Sequence, residues 1–239
     1  MTVGEPAQRT IRKRHFDAVL FDFGDTLFHR AGGPPVMVEL ARSRGVTVTE
    51  NDVQRVWDEV QDAARTPEAL AKGRDLSTEA HRREWLALYA AFDQLADGLG
   101  AAVYEHEMVP GGWVPFTDAE PVLRALHDAG VKIGVVSDAG WDIRVMFSAA
   151  GIEDLVDSFV LSYEIGAVKP APEPFLRACE DLGVAPERCV MVGDNTPDAG
   201  AVRVGIATYL LPLAPPGGPR GLDAVVRLVG VGAGTVAAS

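Results

Sequence analysis

Acidic, hydroxyl and ammonium side chains stand after short apolar runs at four places in this 239-residue sequence. In chain order these groups are Asp22 with Asp25, Ser137 with Asp138, Lys169, and Asp194 with Asp198. Carboxylates can act as nucleophiles or bind a hard cation such as Mg²⁺, and a hydroxyl or an ammonium can hold an anion. Because polar residues often follow strands, each group alone is weak evidence. Together they predict a reactive site if the fold brings them to one place.

An alternation of apolar runs and amphipathic segments from Thr117 onward predicts such a fold. After an opening strand with the apolar run 19–21, the predicted strands are 132–136, 158–161, 189–192 and 206–211. The first predicted helix of this region begins at a Thr117–Glu120 capping box and ends at Gly130. Three more helices are predicted near 142–150, 174–182 and 197–203. The segment 222–229 is expected to add a last edge element. This order is typical of a doubly wound, Rossmann-like parallel α/β sheet, whose ligands bind at the carboxyl ends of the strands.

The segment from 31 to 112 has a different pattern, with helical spacing and no strand-like alternation. Three helices are predicted there, around 36–43, 52–64 and 78–95, with Thr49 as the N-cap of the second. Pro110, Gly111 and Gly112 mark the exit from this segment. We therefore expect an α/β core domain over 15–30 and 113–230, an inserted all-helical domain over 31–112, and flexible termini over 1–14 and 231–239.

Composition limits the classes of partner. The formal net charge of −12 opposes electrostatic binding to nucleic acid or to an anionic membrane, and no apolar stretch approaches the length of a membrane span. The two cysteines fit neither a disulfide framework nor a zinc site. We expect a cytoplasmic protein, monomeric or homodimeric, whose partner is a small molecule.

Taken in order, the four groups resemble the motifs of the haloacid dehalogenase (HAD) superfamily. DFGDT, from Asp22 to Thr26, is similar to the family's D-x-D-x-T, and IGVVS ends in Ser137 as the second motif requires. VKPAPEPF supplies the loop lysine, Lys169, and GDNTPD matches the fourth motif with Asp194 and Asp198. The helical insert stands where subfamily I carries its C1-type cap.

The resemblance implies a Mg²⁺-dependent hydrolase of small phosphorylated metabolites. Asp22 would be the catalytic nucleophile and form an aspartyl-phosphate, and Lys169 would offset the negative charge shared by Asp22 and the phosphate. The predicted phosphate-binding residues are Ser137, Asp138, Ala139 and Lys169. The predicted metal site comprises Asp22, the backbone carbonyl of Gly24, Asp194 and Asp198, the last more through metal-bound water than directly.

One position departs from the family pattern. Most phosphatases of this family carry an aspartate acting as general acid and base two residues after the nucleophile, where this chain has Gly24. General acid–base catalysis contributes about 10²- to 10⁴-fold, so its loss is significant. Asp25 or a cap residue could supply the proton, or the substrates could have good leaving groups. We include Asp25 among the catalytic candidates.

Other activities of the same family remain open. A haloacid dehalogenase-type C–X hydrolase would tolerate a residue other than aspartate at position 24, although Asp194 favours a metal-dependent site. A catalytically weak phosphate-binding or regulatory domain would also explain Gly24. A phosphonatase would need a cap lysine, for which Lys72 is the sole candidate in the insert. A protein kinase is not expected, because the 21 residues given before Asp22 are too few for the elements that precede its DFG motif.

Several further residues are candidates for contact with a substrate. In or beside the insert these are Arg65, Arg74, His81, Arg82 and Trp113, and on the core they are His29 and Trp141. The aromatic residues expected to form the core of the insert are Trp57, Trp85, Tyr89 and Phe92.

Overall fold

The first strand, β1 (Ala18–Phe21), has four apolar residues that are all fully buried. The structure, a computed structural model, describes residues 14–212 and 214–231. The predicted flexible termini therefore lie outside the described residues, apart from Arg14 and Val231.

β1 is the central strand of a five-stranded parallel sheet with the order β5-β4-β1-β6-β7. The other strands are β4 (Lys132–Ser137), β5 (Ser158–Leu161), β6 (Cys189–Gly193) and β7 (Ala207–Leu210). Ala18 aligns with Lys132 on one side and with Cys189 on the other. The predicted strands are thus present, with differences of one residue at their ends.

Helices cover both faces of this sheet. They are α6 (Ala119–Asp128), α7 (Arg144–Ala149), α8 (Ser162–Ile165), α9 (Pro172–Leu182) and α10 (Asp223–Val229). Val19 and Phe21 pack with α6, α7 and α10, whereas Ala18 and Leu20 pack with α9. Successive side chains of a strand point to opposite faces, so β1 contributes to both cores. The prediction of a doubly wound α/β fold is confirmed.

The structure corrects or refines three details of the sequence prediction for the core. The Thr117–Glu120 capping box is wrong: α6 starts at Ala119, and the carboxylate of the preceding Asp118 instead accepts hydrogen bonds from the backbone N–H groups of residues 220–222. The segment 222–229, expected to add a last edge element, forms the helix α10, whose valines pack on the sheet. The short helix predicted at 197–203 is a 3₁₀ helix over Asp198–Val204.

A two-stranded antiparallel sheet forms the passage to the helical segment. β2 (Phe28–Arg30) pairs with β3 (Trp113–Pro115), and the backbone N–H of Ala31 donates to the carbonyl of Gly112 at 2.9 Å. The chain leaves the core at β2 and returns at β3. We call the helical segment between them, residues 33–107, the insertion.

The insertion has its own apolar core. Its helices are α1 (Gly33–Arg42), α2 (Glu50–Ala64), α3 (Pro67–Leu70), α4 (Thr78–Tyr89) and α5 (Leu99–Glu107), with 3₁₀ turns at Arg74–Leu76 and Ala90–Gln94. Thr49 caps α2 as predicted, in a capping box with Asp52. The predicted third helix ends at Tyr89, and α5 was not predicted. At Gly100 a Cβ would lie 2.2 Å from the carbonyl oxygen of Tyr89, so α5 packs against α4 only without a side chain there.

Among the described residues, no helix combines the length and the apolar character needed to cross a bilayer.

Candidate active site

The sheet order brings three of the predicted groups together. Asp22 follows β1, Ser137 ends β4 and Asp194 follows β6, and β1 lies between the other two strands. The backbone N–H of Asp22 donates to the carbonyl of Val192 at 2.9 Å, which extends the ladder to the nucleophile candidate itself. These side chains therefore meet at the carboxyl edge of the sheet.

Lys169 connects the groups electrostatically. Its ammonium Nζ lies 2.6 Å from Oδ1 of Asp22, 2.7 Å from Oδ1 of Asp198 and 3.1 Å from the carbonyl oxygen of Val136. Its backbone N–H donates to Asp138 Oδ1 at 2.9 Å. Burial lowers the pKa of Lys169, but the adjacent carboxylates outweigh that effect and hold its pKa above the ordinary value. Lys169 is thus a fixed cation with all three ammonium protons in use.

Negative charge exceeds positive charge around this lysine. Asp22, Asp194 and Asp198 each place a carboxylate oxygen within 4.8 Å of the others, against one ammonium. Burial raises the pKa of Asp22, and Asp198 and Asp194 add to the rise while Lys169 opposes it. Burial, Asp25 and Asp198 raise the pKa of Asp194 to about 6. A hard divalent cation suits an oxygen donor set with this excess charge.

Asp198 is bonded differently from the other two carboxylates. Its Oδ1 accepts from Lys169, and its Oδ2 accepts from the backbone N–H groups of Asp194 and Asn195 at 3.1 and 3.2 Å. A Cβ on Gly193 would lie 2.1 Å from Asp198 Oδ2, which explains why glycine precedes Asp194. These bonds favour the predicted indirect role of Asp198, because both oxygens are already occupied in holding the loop.

The turn after Asp22 depends on a residue that sequence analysis missed. Asp25 has a left-handed backbone, with φ of 55°, and its carbonyl oxygen accepts from Nε of Arg220 at 2.6 Å. The buried Arg220 guanidinium also donates to the carbonyl of Pro212. No sequence signal marks Arg220, which lies in a Pro- and Gly-rich loop 195 residues from Asp25. The Asp25 carboxylate contributes to the raised pKa of Asp194, so it lies on the predicted metal side of the site.

A cavity of about 820 Å³ separates the sheet edge from the insertion. On the sheet side it is lined by the predicted catalytic, phosphate-binding and metal-binding residues, apart from the buried Asp198. Five of the seven candidate substrate contacts line it, namely Arg65, Arg74, His81, Trp113 and Trp141. Trp85, predicted as core of the insertion, also reaches this cavity.

Two other candidates lie elsewhere. His29 accepts a hydrogen bond from the backbone N–H of Gly217 at 3.2 Å, and Arg82 stacks over the ring of Tyr104 on the insertion. Neither lines the large cavity.

The insertion rests directly on the loop that follows β4. A Cβ on Gly140 would lie 2.4 Å from Cβ of His81 and 3.0 Å from the carbonyl oxygen of Arg74. The hydroxyl of Ser162 lies 2.5 Å from the carbonyl oxygen of Asp75 and 3.2 Å from that of Ala139. The segment 74–81 therefore covers the predicted phosphate-binding loop.

A largely buried ion pair joins β2 to the insertion. Nε of Arg30 lies 3.0 Å from Oε1 of Glu107, whose Oε2 accepts from the hydroxyl of Tyr89 at 2.7 Å. The guanidinium of Arg30 lies 4.5 Å from the ring centroid of Trp113 and 5.2 Å from that of Trp57. No local sequence pattern marks this pair, because its partners are far apart in the chain.

Comparisons with known proteins agree with this geometry. A sequence model of the haloacid dehalogenase-like hydrolases matches residues 16–204. A glyceraldehyde 3-phosphate phosphatase of Methanopyrus kandleri is 29% identical over 80% of this chain and 82% of that protein. An N-acetylmuramic acid 6-phosphate phosphatase of Pseudomonas aeruginosa is 29% identical over 79% of this chain and 77% of that protein. A putative pyrophosphatase, PpaX, of Clostridium perfringens is 37% identical over an aligned stretch that covers 41% of this chain and 49% of that protein.

Solved structures show the same fold. A HAD phosphatase from Thermococcus onnurineus matches 90% of this chain and 99% of its own, with a TM-score of 0.58 and 24% identity. A dehalogenase matches 87% of this chain and 89% of its own, with a TM-score of 0.62 and 21% identity.

Proposed function

The chain belongs to the haloacid dehalogenase-like hydrolases, and from this premise we propose that it is a Mg²⁺-dependent phosphatase of small phosphorylated metabolites. The observation that carries the proposal is the surplus of carboxylates around Lys169 at the edge of the sheet. The ammonium of Lys169 pairs with Asp22 and Asp198, and Asp194 lies beside them without an ammonium partner of its own in the described residues. This surplus provides oxygen ligands for a divalent cation beside the nucleophile candidate.

In this proposal Asp22 attacks phosphorus and forms an aspartyl-phosphate that water then hydrolyses. Its Oδ1 is held by Lys169, and the backbone bond to Val192 fixes the start of the loop. Lys169 keeps its proton throughout and reduces repulsion between the Asp22 carboxylate and the phosphate. Ser137 and the backbone of the loop that follows it bind the phosphate oxygens.

Mg²⁺ would be held by the carboxylates of Asp22 and Asp194 and by the carbonyl of Gly24, while Asp198 orders the loop. When bound, it would neutralise charge on the phosphate and help to orient it. Burial is the main cause of the raised pKa values of Asp22 and Asp194, and neighbouring carboxylates add to the rise. A bound divalent cation would stabilise both groups as carboxylates.

The names of the relatives support phosphate-ester substrates. Two relatives that align with 80% and 79% of this chain are named as a glyceraldehyde 3-phosphate phosphatase and an N-acetylmuramic acid 6-phosphate phosphatase. A dehalogenase-type reaction at carbon is the second hypothesis. Asp194 beside Asp22 favours the phosphatase, because a metal-free reaction at carbon has little use for a second carboxylate there.

We also propose a cytoplasmic location. Cys179 and Cys189 are both buried and free, which suits a reducing compartment.

The test is hydrolysis of p-nitrophenyl phosphate with and without Mg²⁺. We expect activity only with the metal, and a loss of at least about 10³-fold in kcat for Asp22→Asn, because the amide cannot act as the nucleophile. Asp128→Asn, at an exposed carboxylate far from the cavity, is the matched control. Equal inactivity of wild type and Asp22→Asn, with Mg²⁺ and phosphate still bound, would replace the enzyme by a phosphate-binding domain. Turnover of a 2-haloacid without metal would favour the dehalogenase.

A further inference from the structure

Asp75 is an acidic residue of the insertion that lines the same cavity as Asp22. It lies in the 3₁₀ turn Arg74–Leu76, and its side chain is 16% exposed. None of the roles predicted from the sequence involves it. A carboxyl group that is largely buried at a reaction cavity can exchange a proton with a substrate, so its surroundings decide what it does there.

One oxygen of this carboxyl is anchored and the other is free. Nε of Arg74 lies 3.1 Å from Oδ2 of Asp75. The same guanidinium donates to the carbonyl of Ala64 at 2.7 Å and lies 4.7 Å from the ring centroid of Trp85. Oδ1 accepts no hydrogen bond from any residue that the structure describes. The carboxyl is therefore oriented through Oδ2, with Oδ1 available to a ligand in the cavity.

The turn that carries Asp75 is seated on the predicted phosphate-binding loop. The hydroxyl of Ser162 lies 2.5 Å from the backbone carbonyl oxygen of Asp75 and 3.2 Å from that of Ala139. In phosphoryl transfer the attacking and leaving oxygens lie roughly in line, on opposite sides of phosphorus. The attacking oxygen belongs to Asp22 at the sheet edge, so the leaving oxygen points across the cavity towards the insertion.

The surroundings of Asp75 also favour its acid form. Burial raises the pKa of Asp75 to about 6, with Asp138 adding to the rise and Arg74 opposing it. Asp138 is itself fixed, because its Oδ1 accepts from the backbone N–H of Lys169. With this pKa roughly a tenth of the enzyme carries a protonated Asp75 at pH 7, and a general acid is most effective when its pKa lies near the working pH.

Other carboxyl groups at the cavity are less suited to this exchange. The oxygens of Glu107 are both taken, one by Arg30 and the other by the hydroxyl of Tyr89. Asp25 is exposed, and it lies on the predicted metal side of the site. Asp75 combines a place on the insertion with an unoccupied oxygen.

We propose that Asp75 is the general acid and base of the reaction, and that the insertion delivers it to the ester oxygen. This inference rests on the proposed phosphatase function. As an Asp22 oxygen bonds to phosphorus, the bond from phosphorus to the ester oxygen breaks. The electron pair of that bond stays on the ester oxygen, which takes the proton of Asp75.

The second step returns both residues to their starting forms. The Asp75 carboxylate takes a proton from water while the water oxygen bonds to phosphorus. The bond from phosphorus to the Asp22 oxygen breaks, and its electron pair restores the Asp22 carboxylate. Phosphate is released, and Asp75 again carries a proton.

The experiment measures kcat/KM for p-nitrophenyl, phenyl and benzyl phosphates with Mg²⁺ in wild type and Asp75→Asn. Phenols such as the tyrosine side chain have a pKa of about 10, whereas an alkoxide is about as basic as hydroxide, whose conjugate acid has a pKa of about 15.7. Only the benzyl ester therefore depends strongly on a donor. We expect Asp75→Asn to lower kcat/KM by about 10²- to 10⁴-fold for benzyl phosphate and by less than about 10-fold for p-nitrophenyl phosphate.

A second measurement follows the aspartyl-phosphate. Without a base at position 75 its hydrolysis should slow, so Asp75→Asn should release a near-stoichiometric burst of p-nitrophenol before the steady state. The asparagine amide has the size of the carboxyl and can still accept from Arg74, and urea unfolding checks that the variant folds. Asp25→Asn is the comparison and should change kcat/KM for the three esters by one common factor. Asp128→Asn again serves as the remote control.

Equal factors for the three esters in Asp75→Asn would overturn the inference, because a merely structural role does not depend on the leaving group. The same holds if Asp25→Asn, and not Asp75→Asn, shows the leaving-group dependence. Wild type alone also tests it: an enzyme with a proton donor should hydrolyse benzyl phosphate within about 10-fold of phenyl phosphate, and a drop of at least about 10²-fold would contradict a donor. In each case the phosphatase function would still stand. If no ester is hydrolysed in an Asp22-dependent reaction, the proposed function itself fails, and this inference with it.

Discussion

Gly140→Ala tests whether the insertion closes on the sheet edge in solution. A Cβ at this position would lie 2.4 Å from Cβ of His81, about 1 Å closer than an ordinary contact. It would also lie 3.0 Å from the carbonyl oxygen of Arg74. Neither atom is the end of a flexible side chain, so the segment 74–81 or the loop after β4 must move by about 1 Å.

The size of the effect follows from that displacement. Overpacking of a well-packed contact costs about 1–3 kcal/mol, and a misplacement of 1 Å can reduce catalysis by about 10²-fold. We therefore expect Gly140→Ala to lower kcat/KM for phenyl phosphate by about 10- to 100-fold. We also expect the free energy of unfolding to fall by about 1–3 kcal/mol.

Two measurements check this, urea unfolding and steady-state kinetics. Gly218→Ala is the matched control, because a Cβ there meets no atom within 4 Å and its backbone is not left-handed. If Gly140→Ala matches this control in both stability and kcat/KM, the insertion does not rest on the loop after β4, and closure of the site by this contact is wrong.

Two further predictions concern buried groups. The pKa of His81 falls from 6.5 to about 4 on folding, so below about pH 6.5 the unfolded chain takes up a proton that the folded protein does not. Through this group, the free energy of unfolding should fall by up to about 3 kcal/mol between pH 6.5 and 4. In urea unfolding, His81→Gln should show a shallower decline with pH, whereas His127→Gln, at an exposed position, should not. Arg220→Gln should destabilise the protein by about 2–3 kcal/mol and reduce activity, because the carbonyl of Asp25 loses a charged donor. Arg203→Gln, on the surface, should change unfolding little, and an equal loss in both variants would contradict the role given to Arg220.

The sequence was sufficient for the sheet and for the placement of its polar strand ends. The short apolar runs followed by Asp22, Ser137 and Asp194 are visible in the local sequence pattern. In a parallel sheet the carboxyl ends of the strands lie at one edge, so the topology alone brings these residues together. The loop lysine, Lys169, joined them through a family motif, and the structure places its ammonium 2.6 Å from Asp22. The catalytic roles of these residues stay predictions.

The rest depended on contacts that no local pattern encodes. Arg220 reaches Asp25 across 195 residues, and the Arg30–Glu107 pair forms only when β2 and α5 meet. The Trp113 ring beside Gly24 was equally invisible, since its position follows from the pairing of β3 with β2. Even α5 escaped prediction, because its start, Leu99 to Ala102, has small residues that suit close packing but give weak periodicity.

The central position of β1 also sets an order of assembly during synthesis. The neighbouring strands of β1 begin at Lys132 and Cys189. After β1 has been synthesised, roughly a hundred further residues must therefore be translated before its first partner strand is available. At about 5–20 residues per second, that interval is on the order of ten seconds. The insertion, whose apolar core comprises side chains from residues 37–108, can fold in that time. β4 and β6 then pair with β1 on its two sides. The ion-pair cluster of Lys169 with Asp22 and Asp198 is completed only when Asp198 has left the ribosome.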